Sequence, residues 1–304
     1  MSRMATVADL TPVQASSARS LATRRRRLIG KVVSYFFLTL FGLLFAFPLF
    51  WVISASLQTW QELRSYIPHL LPKIPQWRNY VLVFETVPFA RWMFNSFTII
   101  VIAVPGTLIT GSLVAYGFAR FPFTGSNFWF IVMLSTMMIP TWVTMIPQYI
   151  LFYKLRWINT YIPLTIGSWL GGGAFVIFML RQFIMTIPRD LDEAALIDGA
   201  GPFRILWQVL IPLMKPALTT VALLGFLGHW NDFFGPYIYL NKPELFTASI
   251  GLRYFMRISQ TQVTEPQDHL LNAAAAVMTI PVLFVFIVAQ RYFVSGIVLT
   301  GLKI

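Results

Sequence analysis

The stretch Ile187–Pro212 reads IPRDLDEAALIDGAGPFRILWQVLIP, the one long charged island between long apolar runs. Asp190, Asp192, Glu193 and Asp198 are four of the chain's 11 acidic residues. Pro188 opens the island, Gly199-Ala200-Gly201-Pro202 breaks it and Pro212 closes it. Asp190–Asp198 reads as a short helix. Asp190 is placed to cap it, and Asp192 and Glu193 suit its positive first turn. Gly199 or Gly201 ends it. Leu191, Ala194 and Ala195 share one small apolar face by i, i+3, i+4 spacing, so a partner backbone can come close. Phe203–Ile211 forms a second helical stretch, apolar at Ile205, Trp207, Val209 and Ile211. On physics alone the island is either a helix that docks in a partner's groove or an amphipathic helix lying on a bilayer.

The surroundings make this a membrane chain. Of 304 residues 57% are apolar and 11% charged, and the mean hydropathy is +0.69. Soluble domains carry about 25% charged residues. A bundle of this kind is one cooperative unit rather than two soluble domains. The net charge of +12 does not indicate nucleic-acid binding, because the basic residues flank apolar spans and form no stripe. There are no cysteines, so disulfides and thiolate metal sites are excluded. His69, His229 and His269 lie far apart with no i, i+4 pairing, and no metal site is expected.

Residues 1–31 are polar and end in Arg24-Arg25-Arg26-Arg27 and Lys31, as expected of a disordered tail with a basic anchor. Val32–Ala55 then runs without a charge. It is too long for a signal-peptide core of about 7–15 residues and reads as an uncleaved first span. Further charge-free runs are Trp92–Gly117, Asn127–Tyr153, Trp157–Leu180, Pro216–Asn231 and Leu270–Gln290. All but Pro216–Asn231 approach or exceed the roughly 20 residues of a spanning helix. That one is extended through Lys215, whose stem can snorkel, or past Asp232 to about Leu240. The count is six spans. The chain divides into the tail 1–31, a first span with its external segment at 32–91, a core of five spans at 92–291 containing the island at 187–212, and a C-terminal tail at 292–304.

Six spans put both termini and the island on one side. That side holds 14 basic and 5 acidic residues against 9 and 6 on the other. By the positive-inside rule the termini and the island are cytoplasmic. Two long segments, Ser56–Arg91 and Asn241–His269, then lie outside. Each either meets a soluble partner or packs on the bundle as a lid.

No enzyme constellation is present: no G-x-S-x-G, no H-E-x-x-H and no G-x-x-x-x-G-K-[ST] phosphate loop. Gly30-Lys31 is followed by Val32 and lacks the upstream glycine. If transport is driven by ATP, another chain must be the ATPase. The rival is an ion-coupled secondary transporter, which calls for a set of midplane carboxylates. Only Asp232 comes close to that role.

Glu193-Ala194-Ala195, then Gly199, then nine residues and Val209-Leu210-Ile211-Pro212, resembles the E-A-A-x₃-G-x₉-I-x-L-P loop of ATP-binding-cassette importer permeases. Val209 and Ile211 depart from that pattern conservatively. Ala115-Tyr116-Gly117-Phe118-Ala119-Arg120-Phe121 resembles the family's AY-A-AR segment. Trp230-Asn231-Asp232-Phe233 resembles its WN-F, and Gln290-Arg291-Tyr292-Phe293-Val294-Ser295-Gly296 its QRYFV-G. Together they resemble the six-span subunit of the maltose-like, carbohydrate-type permeases. The family end G-A-V-K-G is replaced by Gly301-Leu302-Lys303-Ile304.

The resemblance implies an all-α membrane protein of the type I importer fold in a bacterial inner membrane. It also implies a second permease subunit, two ATPase subunits that bind the ATP and magnesium, an external solute-binding protein, and a sugar or oligosaccharide as solute. Asp190–Gly201 would be the coupling helix in a cleft of the ATPase. There Glu193 would serve a polar or ionic contact, Ala194 and Ala195 close packing, and Gly199 the turn, with Asp190 and Asp198 among the coupling residues. By the same resemblance a stretch near Tyr254–Gln267, with Tyr254, Gln260 and Gln262, reaches towards the binding protein. For the pathway, Trp230 and Asn231, and Trp169 beside Gly171-Gly172-Gly173, combine aromatic faces with amides as sugars require. The plainer reading of the same residues is interface anchoring and helix packing.

Overall fold

A computed structural model describes residues 12–67, 69–261 and 267–300. α1 (Pro12–Ser56) contains the first span and begins inside the tail expected to be disordered. No glycine or proline interrupts Val13–Ile29, and alanine, leucine and arginine favour helix. α2 (Trp60–Leu63) and α3 (Arg78–Thr86) lead to α4 (Phe89–Arg120). α5 (Ser126–Ser135) and α6 (Thr141–Lys154) follow, then α7 (Ile162–Trp169), α8 (Ala174–Thr186) and the island helix α9 (Asp190–Ile197). The chain continues through α10 (Pro202–Arg204), a π-helical stretch Ile205–Leu210, α11 (Ile211–Leu213) and α12 (Lys215–Asn231). It ends with α13 (Phe234–Tyr239), α14 (Ala248–Thr261) and α15 (Asp268–Thr300), which runs past the boundary expected at 291.

Among the described residues four helices are long and apolar enough to cross a membrane, or six if each of two bent pairs is one span. The first bend, 96° between α5 and α6, follows from Ile139-Pro140. A proline excludes the helical region for the residue before it, and Ile139 is extended at ψ 116°. The second, 81°, precedes α12 and is flanked by Pro212 and Pro216, neither of which can donate an N–H. The run Trp157–Leu180, expected to be continuous, is broken at Leu170–Gly173. Gly171, Gly172 and Gly173 have φ of +96°, +69° and +92°, a left-handed path that side chains other than glycine rarely take. A Cβ on Gly172 would lie 2.7 Å from Thr107 Cγ2, so α4 and this break touch almost backbone to backbone.

α4 is the central post, packed by α7, α8, α12 and α14. One core lies at its start and holds Val83, Phe89, Trp92, Phe226, Trp230, Phe255 and Met278. The other lies at its end and holds Ala115, Tyr116, Leu180, Ile184, Leu206, Leu210 and Met214. α1 packs mainly on α15 and leaves most of its apolar side chains exposed, as expected of a span that faces lipid or another subunit. Hydroxyls within the spans bond back to carbonyls one turn earlier, as Thr98 does to Phe94 and Thr279 to Ala275. This satisfies them without water.

At the end of the bundle opposite α9 the connections are tied down by polar side chains. Asn79 Nδ2 donates to the carbonyls of Ser56 and Gln58, and Arg64 forms an ion pair with Asp268 at 2.8 Å. Segment 56–91 therefore packs on the bundle. Trp92 Nε1 donates to Pro243 O, Asn95 Nδ2 to Glu244 O and Phe246 O, and Ser96 Oγ accepts from Ala248 N. Three α4 side chains within little more than one turn thus hold the loop that leads into α14. Asn159, at φ +62°, accepts from the N–H groups of Asn241 and Lys242.

Candidate functional site

α9 sits at one end of the bundle, started by Pro188 and stopped by Gly199. The Asp192 and Glu193 N–H groups both donate to Arg189 O at 2.8 and 3.0 Å. Arg189 is the N-cap and makes no side-chain cap bond, so Asp190 does not cap the helix as expected. It lies in the first turn with Asp192 and Glu193, where negative charge meets the positive helix end. At the other end Gly199 N donates to Leu196 O and Ala200 N to Ala195 O, with Gly199 at φ +78°. This is the paired closure that a left-handed residue permits.

The rotation of α9 about its axis is set from outside the helix. Arg120, the last residue of α4, places Nε 2.5 Å from Asp192 Oδ2, with the two side chains 7% and 13% exposed. Its Nη2 donates to Ile187 O at 2.8 Å. Drawing Asp192 inward turns Ala195, one turn later, inward as well, and Ala195 packs with Ala200 on the core at this end. The apolar face expected from Leu191, Ala194 and Ala195 is therefore divided. Leu191, Ala194, Leu196 and Ile197 face outward with Glu193 and Asp198, Ile197 being 87% exposed and Phe203 in the next turn 71%. Ala195 holds the helix to the bundle.

Behind α9, the segment expected as a second helical stretch is helical from Pro202 to Leu213, with a π-helical middle. There Ile211 N bonds to Leu206 O, and Ile205, Leu206 and Leu210 are buried. π turns inside helices are frequent at functional sites.

Two cavities lie along α12. The narrower, about 500 Å³, runs between α4, α8 and α12 and includes Thr107, Ser168, Gly172, His229, Asn231 and Asp232 in its lining. The wider, about 1110 Å³, opens at the end opposite α9 between α12, α13 and α14. Asn231 lines both. Its neighbour Trp230 is 1% exposed, stacks on Phe226 at 5.7 Å and donates its indole N–H to Met278 O. In this conformation the Trp230 side chain is enclosed in the core at the start of α4. It is a core residue, and the pair expected in the pathway splits into one core and one lining side chain. Trp169 remains 43% exposed; its indole donates to Ile102 O at 3.1 Å, and part of its ring covers Gly106, where a Cβ would lie 2.7 Å away. Tyr254 lines the wider cavity. The side chain of Gln260 and all of Gln262 lie outside the described residues.

The sequence reading missed the Arg120–Asp192 pair, the role of Asn159 and the position of Arg253. Arg120 ends an apolar run and Asp192 is one acid among four, so only the end-of-span arginine carried a signal.

The fold is that of a multi-span membrane bundle with a short acidic helix exposed at one end. The chain belongs to the family described as binding-protein-dependent transport system inner membrane component, whose model matches residues 107–298. It is 31% identical over 278 residues to the arabinooligosaccharides transport system permease protein AraQ of Bacillus subtilis (strain 168), covering 90% of this chain and 96% of that protein. It is 32% identical over 284 residues to the galactooligosaccharides transport system permease protein GanQ of the same strain, covering 91% and 97%. It is 31% identical over 283 residues to the sn-glycerol-3-phosphate transport system permease protein UgpE of Agrobacterium fabrum, covering 90% and 98%. A solved chain of a bacterial ABC transporter involved in the import of the acidic polysaccharide alginate superposes with a TM-score of 0.75. It has 26% identity, covering 89% of this chain and 98% of that one.

Proposed function

We propose that this chain is the permease subunit of an ATP-binding-cassette importer that carries a saccharide inward across a bacterial inner membrane. Its termini and α9 face the cytoplasm. It pairs with a second permease subunit, two ATPase subunits supply the ATP chemistry, and an external binding protein delivers the solute. The saccharide reading rests on the relatives named for arabinooligosaccharides and galactooligosaccharides. Relatives named for glycerol phosphate and alginate import leave the charge of the solute open.

The observation that carries the coupling role is the Arg120–Asp192 pair beneath an outward apolar and acidic face. Closure of the ATPase dimer moves α9. The ion pair and the Ala195 contact pass that motion to α4, which joins both cores and walls the narrower cavity. This is rigid-body alternating access, with nucleotide and loaded binding protein biasing two states. The test is saccharide uptake by the complete importer in proteoliposomes, with and without ATP. ATP-dependent uptake supports the reading. Uptake driven by an ion gradient without ATP would replace it with the secondary-transporter reading.

A further inference from the structure

The wider cavity carries a feature that the coupling role leaves unused. Arg253, on α14, enters its lining together with Asn231, Tyr237, Asn241, Ser249 and Tyr254. Its guanidinium lies 4.9 Å from the Tyr237 ring centre and 5.2 Å from that of Phe233, and those two rings stack 5.2 Å apart. The aromatic pair flanks the guanidinium at cation–π distance and takes none of its N–H donors. Among the described residues no carboxylate lies within ion-pair distance of it. Asp232, just past the end of α12, lines the narrower cavity instead and accepts from Gly235 N at 3.1 Å. Around the guanidinium stand groups that suit sugar hydroxyls. Among the described residues the side-chain amides of Asn231 and Asn241 have no hydrogen-bond partner, and the rings of Tyr237 and Tyr254 are 49% and 44% exposed. At about 1110 Å³ the cavity exceeds the roughly 300–1,000 Å³ of ordinary small-molecule pockets, room for more than one sugar ring.

We propose that Arg253 reads an anionic group on the transported solute, making the cavity a waystation for an acidic oligosaccharide. This deepens the saccharide-import reading and rests on it. The carboxylate or phosphate of the solute takes the bidentate N–H fork, the exposed tyrosine faces take its ring CH surfaces, and Asn231 passes it to the narrower cavity.

The test uses the complete importer with its binding protein in proteoliposomes. The labelled probes are trigalacturonate, its methyl ester, maltotriose and glucose 1-phosphate. Wild-type importer is expected to move an acidic probe in preference to the ester and maltotriose. Trigalacturonate above glucose 1-phosphate identifies a carboxylate, and the reverse a phosphate. In Arg253→Gln the ratio of acidic to neutral transport rate falls about tenfold or more, the scale of a lost charge-assisted hydrogen bond, and Arg253→Lys falls between. Wild-type preference for a neutral probe overturns the proposal. So does an equal loss for acidic and neutral probes in Arg253→Gln, which would mark a contact with the second permease subunit. An Arg253→Gln ratio equal to wild type also overturns it. Uptake of none of the probes removes the saccharide reading beneath it, a result distinct from these three.

Discussion

Arg120 and Asp192 join the last turn of the central helix α4 to the first turn of α9, at 2.5 Å and almost out of solvent. Removing either partner leaves the other charge nearly buried and unpaired, a loss of about 3–5 kcal/mol for buried pairs. Asp192→Asn and Arg120→Gln are therefore each expected to abolish most uptake. The charge exchange Arg120→Asp with Asp192→Arg is expected to recover part of it. A double-mutant cycle on uptake rate, normalised to protein in the membrane, checks this. Strictly additive losses would show that the pair does not transmit motion.

Gly199 separates a demand for space from a demand for backbone conformation. A Cβ there meets nothing within 4 Å, yet φ is +78°. Gly199→Ala is expected to weaken α9's closure by about 1 kcal/mol, whereas Gly199→Asn retains more activity because asparagine tolerates the left-handed region. Hydrogen exchange at Gly199 and Ala200 reports the closure directly. Equal protection in both variants would contradict it.

Trp230 and Asn231 are neighbours with opposite duties, about 100° apart around α12. Trp230→Ala is expected to destabilise the protein by about 3–5 kcal/mol and to lower its melting temperature in detergent. Asn231→Ala is expected to lower uptake at unchanged melting temperature. A normal melting temperature for Trp230→Ala would return that residue to the pathway.

Glu62 ties the segment 56–91 together at acid-sensitive points. It accepts from the N–H groups of Thr59 and Lys73 at 3.1 Å each. Burial pushes its pKa up, but these bonds, the Thr59 hydroxyl and the His69 charge outweigh it and hold the carboxyl below its ordinary value. A depressed folded pKa stabilises above the unfolded value and loses that contribution as pH falls through the folded one. Faster hydrogen exchange at Thr59 and Lys73, relative to the intrinsic rate, is therefore expected below about pH 4. Glu62→Gln should lack this acid step, and an identical step in the variant would refute the assignment.

Much of this architecture is readable from where charge is missing. Long charge-free runs need internal hydrogen bonding and so become spans, and Pro188 and Gly199 bound α9 through backbone chemistry alone. The rotation of α9 is different, because Arg120 decides it from a distant part of the chain. Local spacing grouped Ala195 with Leu191 and Ala194, but one ion pair divided that face. The same limit applies to Trp230: an indole beside an amide suits a sugar site, and only the packing of α4 and α15 against α12 shows which neighbour is enclosed. Gly171-Gly172-Gly173 reads as a packing patch, yet its three positive φ values make it a break.

We propose that the outward face of α9 is the surface by which the ATPase moves this subunit. Because the chain has no cysteine, a single Ile197→Cys supplies one defined thiol at its most exposed apolar position. The decisive measurement is thiol crosslinking of Ile197→Cys to single cysteines in the ATPase cleft of the assembled importer, with Val81→Cys at the opposite end as reference. A crosslink from position 197, absent from position 81, and loss of ATP-driven uptake that reduction restores are the expected results. No crosslink from 197 in an assembled importer that still transports would contradict the claim.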